Sequence, residues 1–507
     1  MIFSRRARPP SSTSAALKPR RFGRGRVLAL LAVLLAWRLV APTRWLWGRI
    51  QADEAALNRT RPAFEVGRAR KGERRDERVL LVSPHLDDET LGAGGLLAFL
   101  SAHKIPTRVV FLTNGDGSGS TILALNFWHG RRFSFVESAQ VRQREALRAL
   151  AKLGVEPAQV AFLGYPDGDL QTLWDQWNSA SPILSRFTKL SRVPYQNAPG
   201  VGSEFRGANL LRDLEAQLEL FRPTRVLSTH GADAHPDHWS ADAFARLALQ
   251  VLAQRRPNLP SIEHDGFVIH HGLFPLPHGL HPQARLNVPS ALLNSGASGT
   301  LWRDFELSGG ELKAKGKALE EYVSQLVWTP NFLRAFVRRN EPLGQTPDFV
   351  SQGSWGDESQ ESWALAQHPE ADVRRVQVRA SAQSLSVEVG LAAPAEPSVL
   401  YALNIKGIFE DGRVRAWRFD FRGGQRTARE ARSGTQIEAH SQARSVLFSL
   451  SLNQLASPNA EKPRRLVLDA SSWSGAPEAG GSMLDRTESR ALQVLAEGSD
   501  PKLQLQP

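Results

Sequence analysis

The sequence predicts an α/β chain in which a Rossmann-like, largely parallel sheet with helices on both faces is followed by an antiparallel β-sandwich. Three observations carry that expectation. From about residue 77 to 345, short β-rich runs alternate with longer stretches of helical period. Past about residue 372 the helical period fades and apolar residues mostly alternate with polar ones. Between them, residues 346–372 are rich in Gly, Ser, Gln, Glu and Pro and read as a linker. Strands alternating with helices imply crossover connections, hence parallel strands, while period-two runs split by turns imply antiparallel ones.

The first element is a leader, residues 1–50. It holds eleven Lys/Arg and no Asp/Glu, and its apolar stretch (27–41) is broken only by Arg38 and followed by Trp45 and Trp47. The unbroken run to Trp37 suits a signal-peptide core, and continuing past Arg38 gives a marginal membrane span with aromatic residues at an interface. An uncleaved signal anchor is the favoured reading, with a cleaved signal or an amphipathic terminus as alternatives. The body of the chain is accordingly expected outside the cytoplasm, anchored to a membrane, or secreted if the leader is cleaved. Residues 51–76 read as a linker.

In the unit 77–345, Arg78–Ser83 is an expected strand and Glu89–His103 a helix. Arg108–Thr113 is a strand, and Glu137–Leu153 a helix stopped by Gly154. Gln159–Leu163 is a strand, Ala208–Phe221 a helix ended before Pro223, and Arg225–Thr229 a strand. Two long connections, Asn114–Phe135 and Asp167–Gly207, carry Trp128, Trp174, Trp177 and Tyr195, as substrate walls or as packing. In the sandwich, residues 373–507, the alternating runs are 376–379, 385–389, 417–421 and 446–452, with a hairpin turn at Glu410-Asp411-Gly412.

Composition removes several function classes. The net charge is +12, but the eleven basic residues of the leader account for nearly all of it; the rest has 52 basic against 51 acidic residues. A nucleic-acid surface is therefore not supported. There are no cysteines, so disulfides, thiolate metal sites and cysteine nucleophiles are excluded, and any metal must sit on His, Asp, Glu or water. Glycine-rich dinucleotide and phosphate fingerprints and the G-x-S-x-G elbow are missing. His264, His270, His271, His278 and His281 lack ligand-like spacing and read as loop or packing residues.

Two clusters stand out. Residues 83–89, SPHLDDE, follow one strand, and residues 228–238, STHGADAHPDH, follow another. Each alone would suit a capped helix start, since acidic groups there meet free N–H groups and the helix dipole. Together, at the ends of strands in one sheet, they place two or more imidazoles and several carboxylates near one crevice. Two His and one carboxylate with a position open for water suit a catalytic Zn²⁺ or Fe²⁺.

HLDDE followed by HPDH resembles the PIG-L/LmbE-like family of metal-dependent de-N-acetylases, over roughly residues 77–340. The stretches 141–145 (VRQRE), 153–155 (LGV), 162–168 (FLGYPDG) and 322–325 (YVSQ), with Trp302 and 317–319, agree with it. Leu86 departs from the family, which usually has proline there. The resemblance implies one divalent metal on His85, Asp88 and His238, with Asp87 as general base. It implies His235 as oxyanion stabiliser or proton donor. Asp237 is a candidate for orienting an imidazole, and Arg142 and Asp167 for contacting substrate. The implied activity is removal of an N-acetyl group from an N-acetylglucosamine-type glycan or glycoconjugate. The alternatives are an inactive glycan-binding scaffold and an amidohydrolase on another amide. The sandwich is a candidate carbohydrate binder by position only.

Overall fold

Val79-Leu-Leu-Val-Ser83 is apolar at four successive positions because both faces of the strand it forms are covered, and all five residues are buried. The computed structural model describes residues 61–66, 77–294, 299–357, 363–430, 432–476 and 481–495. The leader, with its signal-anchor reading, lies outside these residues; among the described residues no helix is long and apolar enough to cross a membrane.

The first sheet is built from β1 (Val79–Ser83), β2 (Thr107–Thr113), β3 (Val160–Tyr165), β4 (Arg225–Thr229), β5 (Glu263–Phe267), β6 (Leu301–Glu306) and β7 (Asn340–Gln345). Its order is β3-β2-β1-β4-β5-β7-β6. The first five strands run parallel, and β7 pairs antiparallel with β5 and β6. Helices α1 (Asp88–Ala102), α2 (Gly119–His129), α3 (Phe135–Lys152), α4 (Leu170–Asp175), α5 (Gly207–Phe221) and α6 (Pro236–Arg255) connect the parallel strands. Then come α7 (Gly309–Leu319) and two short helices, α8 (Val323–Leu326) and α9 (Pro330–Arg334). The two long connections hold α2 and α4. Within them Trp174 and Tyr195 are buried packing residues, and Trp128 is exposed.

The second sheet is antiparallel apart from one pairing, and more closed than the expected sandwich. Its strands are β8 (Phe349–Val350), β9 (Gln352–Gly356), β10 (Val373–Ala380), β11 (Ser384–Leu391), β12 (Leu400–Ile408), β13 (Val414–Arg422), β14 (Thr427–Glu430), β15 (Gln436–Gln442), β16 (Ser445–Ser451), β17 (Arg465–Trp473), β18 (Met483–Arg486) and β19 (Arg490–Gln493). The order β12-β13-β14-β15-β16-β11-β10-β9-β8-β19-β17-β18, with β12 also pairing β17, brings the sheet round on itself. β8 runs parallel to β19. The stretch read as a linker thus supplies β8 and β9; its polar composition hid them because they are short and only partly buried.

Besides the core each sheet has of its own, the two share a third apolar cluster. Ile408, Ala416, Val467 and Ala491 of the second sheet pack in one apolar cluster with Trp174, Trp239 and Phe244 of α4 and α6. Lys406 of β12 sits at this seam, its ammonium 4.5 Å from the Trp174 ring centroid and 5.4 Å from that of Trp177. Burial pulls its pKa down to about 8. Between that value and the ordinary 10.5 the unfolded chain binds a proton that the folded chain has shed. Stability relative to a Lys406→Met variant is therefore expected to rise with pH across that window, by up to about 3 kcal/mol at its upper end. Unfolding both proteins from about pH 7.5 to 10 checks this; parallel curves would refute a depressed ammonium.

Candidate active site

The chain steps from β1 through β2 to β3 on one side and from β4 to β5 on the other, so strand order reverses between neighbours β1 and β4. Open α/β sheets bind ligands in the crevice at that reversal, outside the strands' carboxyl ends. The loop after β1 carries His85 to Asp88, and the loop after β4 carries His230 to His235 into the start of α6.

His85 Nδ1, Asp88 Oδ2 and His238 Nε2 stand at the corners of a near-equilateral triangle. The His85–Asp88 and His85–His238 edges are 3.1 Å and the Asp88–His238 edge is 3.2 Å. Ligands about 2.0–2.1 Å from one tetrahedral ion lie about 3.3 Å apart, so the three donors fit a single divalent metal. The other ring nitrogens support this. His85 Nε2 lies 3.1 Å from Asp237 Oδ2 and 3.1 Å from Asp167 Oδ1, which places its proton there and turns the Nδ1 lone pair into the triangle. His238 Nδ1 lies 3.2 Å from Asp233 Oδ2, an ionic contact too poorly aligned to count as a full hydrogen bond. A second trio, His85 with Asp167 and Asp237, shares the Nε2 side of the same ring. An N–H between two carboxylates explains that trio without an ion.

The charges fit a cation as well. Burial alone would lower the His238 pKa, but Asp233 and Asp88 raise it to about 10. Burial alone would raise that of Asp88, but His238 and His85 hold it well below the usual carboxylate range. The carboxylates thus draw positive charge into the triangle, which a divalent ion would supply.

Asp87 stands beside the triangle. Burial, then the neighbouring Asp88 carboxylate, push it up to about 7. Its backbone is held at φ 143°, ψ −29°, a conformation a non-glycine residue adopts only under constraint. The constraints are visible. Asp87 N–H donates to Glu89 Oε2 at 3.1 Å, and Arg142 donates to the carbonyls of Leu86 and Gly115 at 3.0 Å each. Gly115, at φ 63°, leaves room for that guanidinium: a Cβ there would lie 1.9 Å from Arg142 Nη1. Glu89 is fixed in turn by Thr90 and Tyr322 hydroxyls. Removing one donor with Tyr322→Phe is expected to cost about 1–3 kcal/mol of stability, measured by denaturant unfolding. A variant as stable as the parent would show that Glu89 does not need this bond.

His235 caps α6, its Nδ1 accepting from the Asp237 backbone N–H at 3.2 Å. Burial and the nearby His85, His238 and His270 push its pKa down to about 2, so the ring is neutral and its proton resides on Nε2. Asp237 accepts from the N–H groups of Gly168 (2.6 Å) and Leu170 (3.1 Å) while touching His85, so it orients an imidazole of the other cluster.

Arg142 and Asp167 both line the cavity, although each is largely engaged by protein. Arg142 is buried on the loop carbonyls rather than on a solvated helix face, and Asp167 accepts from Gly117 N–H at 2.7 Å besides meeting His85. The cavity holds about 550 Å³. Leu91, Phe187, Phe332 and Leu333 give it an apolar side, and Gln171, Thr172, Arg186 and Gln325 a polar one.

Sequence reasoning missed several of these groups. His270, set aside as a loop histidine, lines the cavity and stacks on Phe332 with ring centroids 5.3 Å apart. Glu89, Asp233 and Asp116 are buried props. Asp233 Oδ2 accepts from Ile269 and His270 N–H, and Asp116 accepts from Tyr195 hydroxyl and Asp167 N–H.

Residues 80–249 match the PIG-L family, described as GlcNAc-PI de-N-acetylase. No curated protein matches the chain. Among solved structures it is similar to the conserved protein TT1542 from Thermus thermophilus, at 22% identity over 54% of this chain and 94% of that one, with a TM-score of 0.32. It is also similar to the N,N'-diacetylchitobiose deacetylase from Pyrococcus horikoshii, at 19% identity over 53% and 82%, with a TM-score of 0.32. A third is the A40926 pseudoaglycone deacetylase Dbv21, at 18% identity over 54% and 98%, with a TM-score of 0.33. The segment that matches the PIG-L family, residues 80–249, carries both histidine–aspartate clusters.

Proposed function

We propose that the chain is a metal-dependent hydrolase that removes the N-acetyl group from an amino sugar of the N-acetylglucosamine type, releasing acetate. The observation that carries the reading is the triangle of His85 Nδ1, Asp88 Oδ2 and His238 Nε2, with Asp87 and His235 facing the same cavity. A Zn²⁺ or Fe²⁺ on that triangle would supply an activated water and polarise the amide carbonyl. Asp87 takes the proton as the water oxygen bonds to the carbonyl carbon. The neutral His235 Nε2–H donates to the oxygen that gains charge. As the C–N bond breaks, Asp87 returns the proton to nitrogen, so the amine leaves neutral, and the acetic acid left behind gives its own proton to solvent to become acetate. Asp237 and Asp167 keep the His85 ring turned, and Arg142 keeps the Asp87 loop in its constrained shape.

The basic, acid-free leader supports action outside the cytoplasm, at a membrane, on an envelope glycan or glycolipid. Incubating the full chain, loaded with Zn²⁺ or Fe²⁺, with N-acetylglucosamine conjugates and with simple acyl amides tests the reading. Acetate released from the sugars at a rate well above that from the amides is the expected result. Equal rates would make it a general amidohydrolase, and no release from either would leave a glycan-binding protein.

A further inference from the structure

We propose that the turn between β18 and β19, with Arg486 at its start, is a positioning element of the active site, acting on His238 and Asp237 through Trp239. The inference rests on the deacetylase reading only where activity is measured.

The argument begins with helix geometry. α6 starts at Pro236, so Asp237, His238 and Trp239 occupy its first turn and point about 100° apart. Asp237 faces the amides at the start of α4, and His238 faces the metal triangle. Trp239 faces the second sheet: its Nε1–H donates to the Thr487 carbonyl at 3.0 Å, and the Arg486 guanidinium lies 3.9 Å from its ring centroid. Three consecutive side chains on one rigid turn cannot move independently, so whatever seats Trp239 also seats its neighbours.

Arg486 is itself fixed from two sides. Its Nε donates to Asp469 Oδ1 of β17 at 2.9 Å, and its Nη1 to Asp175 Oδ2, at the end of α4, at 3.1 Å. The side chain is 3% exposed, so both carboxylates and the cation are out of water. The neighbouring Trp174 of α4 donates to Asp469 Oδ2 at 3.1 Å and meets Trp239 edge to face, with centroids 5.7 Å apart. One arginine of the second sheet therefore ties the end of α4 to the start of α6, whose Asp237 accepts from the N–H groups of Gly168 and Leu170 where α4 begins. Glu488 of the same turn lies against Gly231, where an added Cβ would be 3.4 Å from Glu488 Cβ, on the loop that carries Asp233. By contrast, the His85–Asp88 loop has no partner in the second sheet among the hydrogen bonds and ion pairs described.

The test uses the full chain and three variants: Arg486→Met, Arg486→Lys and Phe448→Leu. Phe448 lies in the second sheet's own core, away from α6, and its variant controls for loss of stability alone. Hydrogen exchange of the segments 168–175 and 228–241 is expected to quicken in Arg486→Met but not in Phe448→Leu, with 85–91 unchanged in both. Co²⁺ affinity is expected to fall about 10- to 100-fold in Arg486→Met, with an altered visible spectrum, and to recover in part in Arg486→Lys. With an active parent, kcat should fall more than KM changes.

Exchange and Co²⁺ binding equal to the parent in a folded Arg486→Met would overturn the proposal, as would equal losses in Phe448→Leu. The exchange result stands whether or not the parent releases acetate, so failure of the deacetylase reading would be seen separately.

Discussion

Replacing Asp87 with asparagine is expected to lower kcat by about 10²–10⁴-fold while bound metal stays at the parent level. Asparagine keeps the shape and the constrained loop but cannot take a proton from water. Asp87 is not a corner of the donor triangle, and its carboxylate lies 3.8 Å from Arg142 Nη2, an ion pair held mostly by the backbone contacts of that arginine. Steady-state kinetics together with elemental analysis check the two halves. A turnover within tenfold of the parent would remove Asp87 as the base. Loss of metal would instead make it a ligand.

Asp88→Ala is expected to act differently, abolishing both metal binding and turnover. Its Oδ2 lies within 3.2 Å of two imidazole nitrogens and also accepts the His85 N–H at 3.0 Å. Taking it away leaves two imidazoles that repel when protonated and hold an ion weakly when not. About one divalent ion per parent chain and almost none in the variant is the expected outcome. Asp88→Asn, which keeps the bond from His85 N–H, separates loss of a ligand from loss of the fold. If both variants keep a full complement of metal while folded, the triangle is not where the ion sits.

The two histidine–aspartate clusters were readable in the sequence because their spacing is local, while the choice of His85, Asp88 and His238 as the metal-binding set came from the family resemblance. His85 and Asp88 are three apart after an apolar strand, as are His235 and His238, and parallel strands bring both loops to one edge. The supporting groups were not readable for the opposite reason. Glu89 depends on Tyr322, 233 residues away, and nothing in either stretch alone pairs them. His270 was missed with its strand: β5 reads EHDGF, too polar to register as buried, because Asp265 within it pairs with Arg225 and Arg303. The signal available was topological, since a strand after α6 would have to lie beside β4 and aim its outgoing loop at the crevice. In the second sheet β11 alternates throughout and β10 does so from Val376 to Arg379, past a bulge at its start, and their sequence shows it. β12 is buried at all nine positions, so it does not alternate.

The parallel pairing of β8 with β19 sets a condition on biosynthesis. Phe349 lies opposite Leu492 and Val350 opposite Gln493, so the first strand of the second sheet waits for the last one among the described residues. While the chain is being made, β9 pairs with β8 and then β10, but the outer edge of β8 emerges well ahead of β19 and stays open until that strand is made. A chain cut between them keeps that edge, and one cut before Arg486 also leaves Trp239 without its Arg486 and Thr487 partners. Such truncated products should be sticky and quickly degraded, and the ring joins only once β19 has been made.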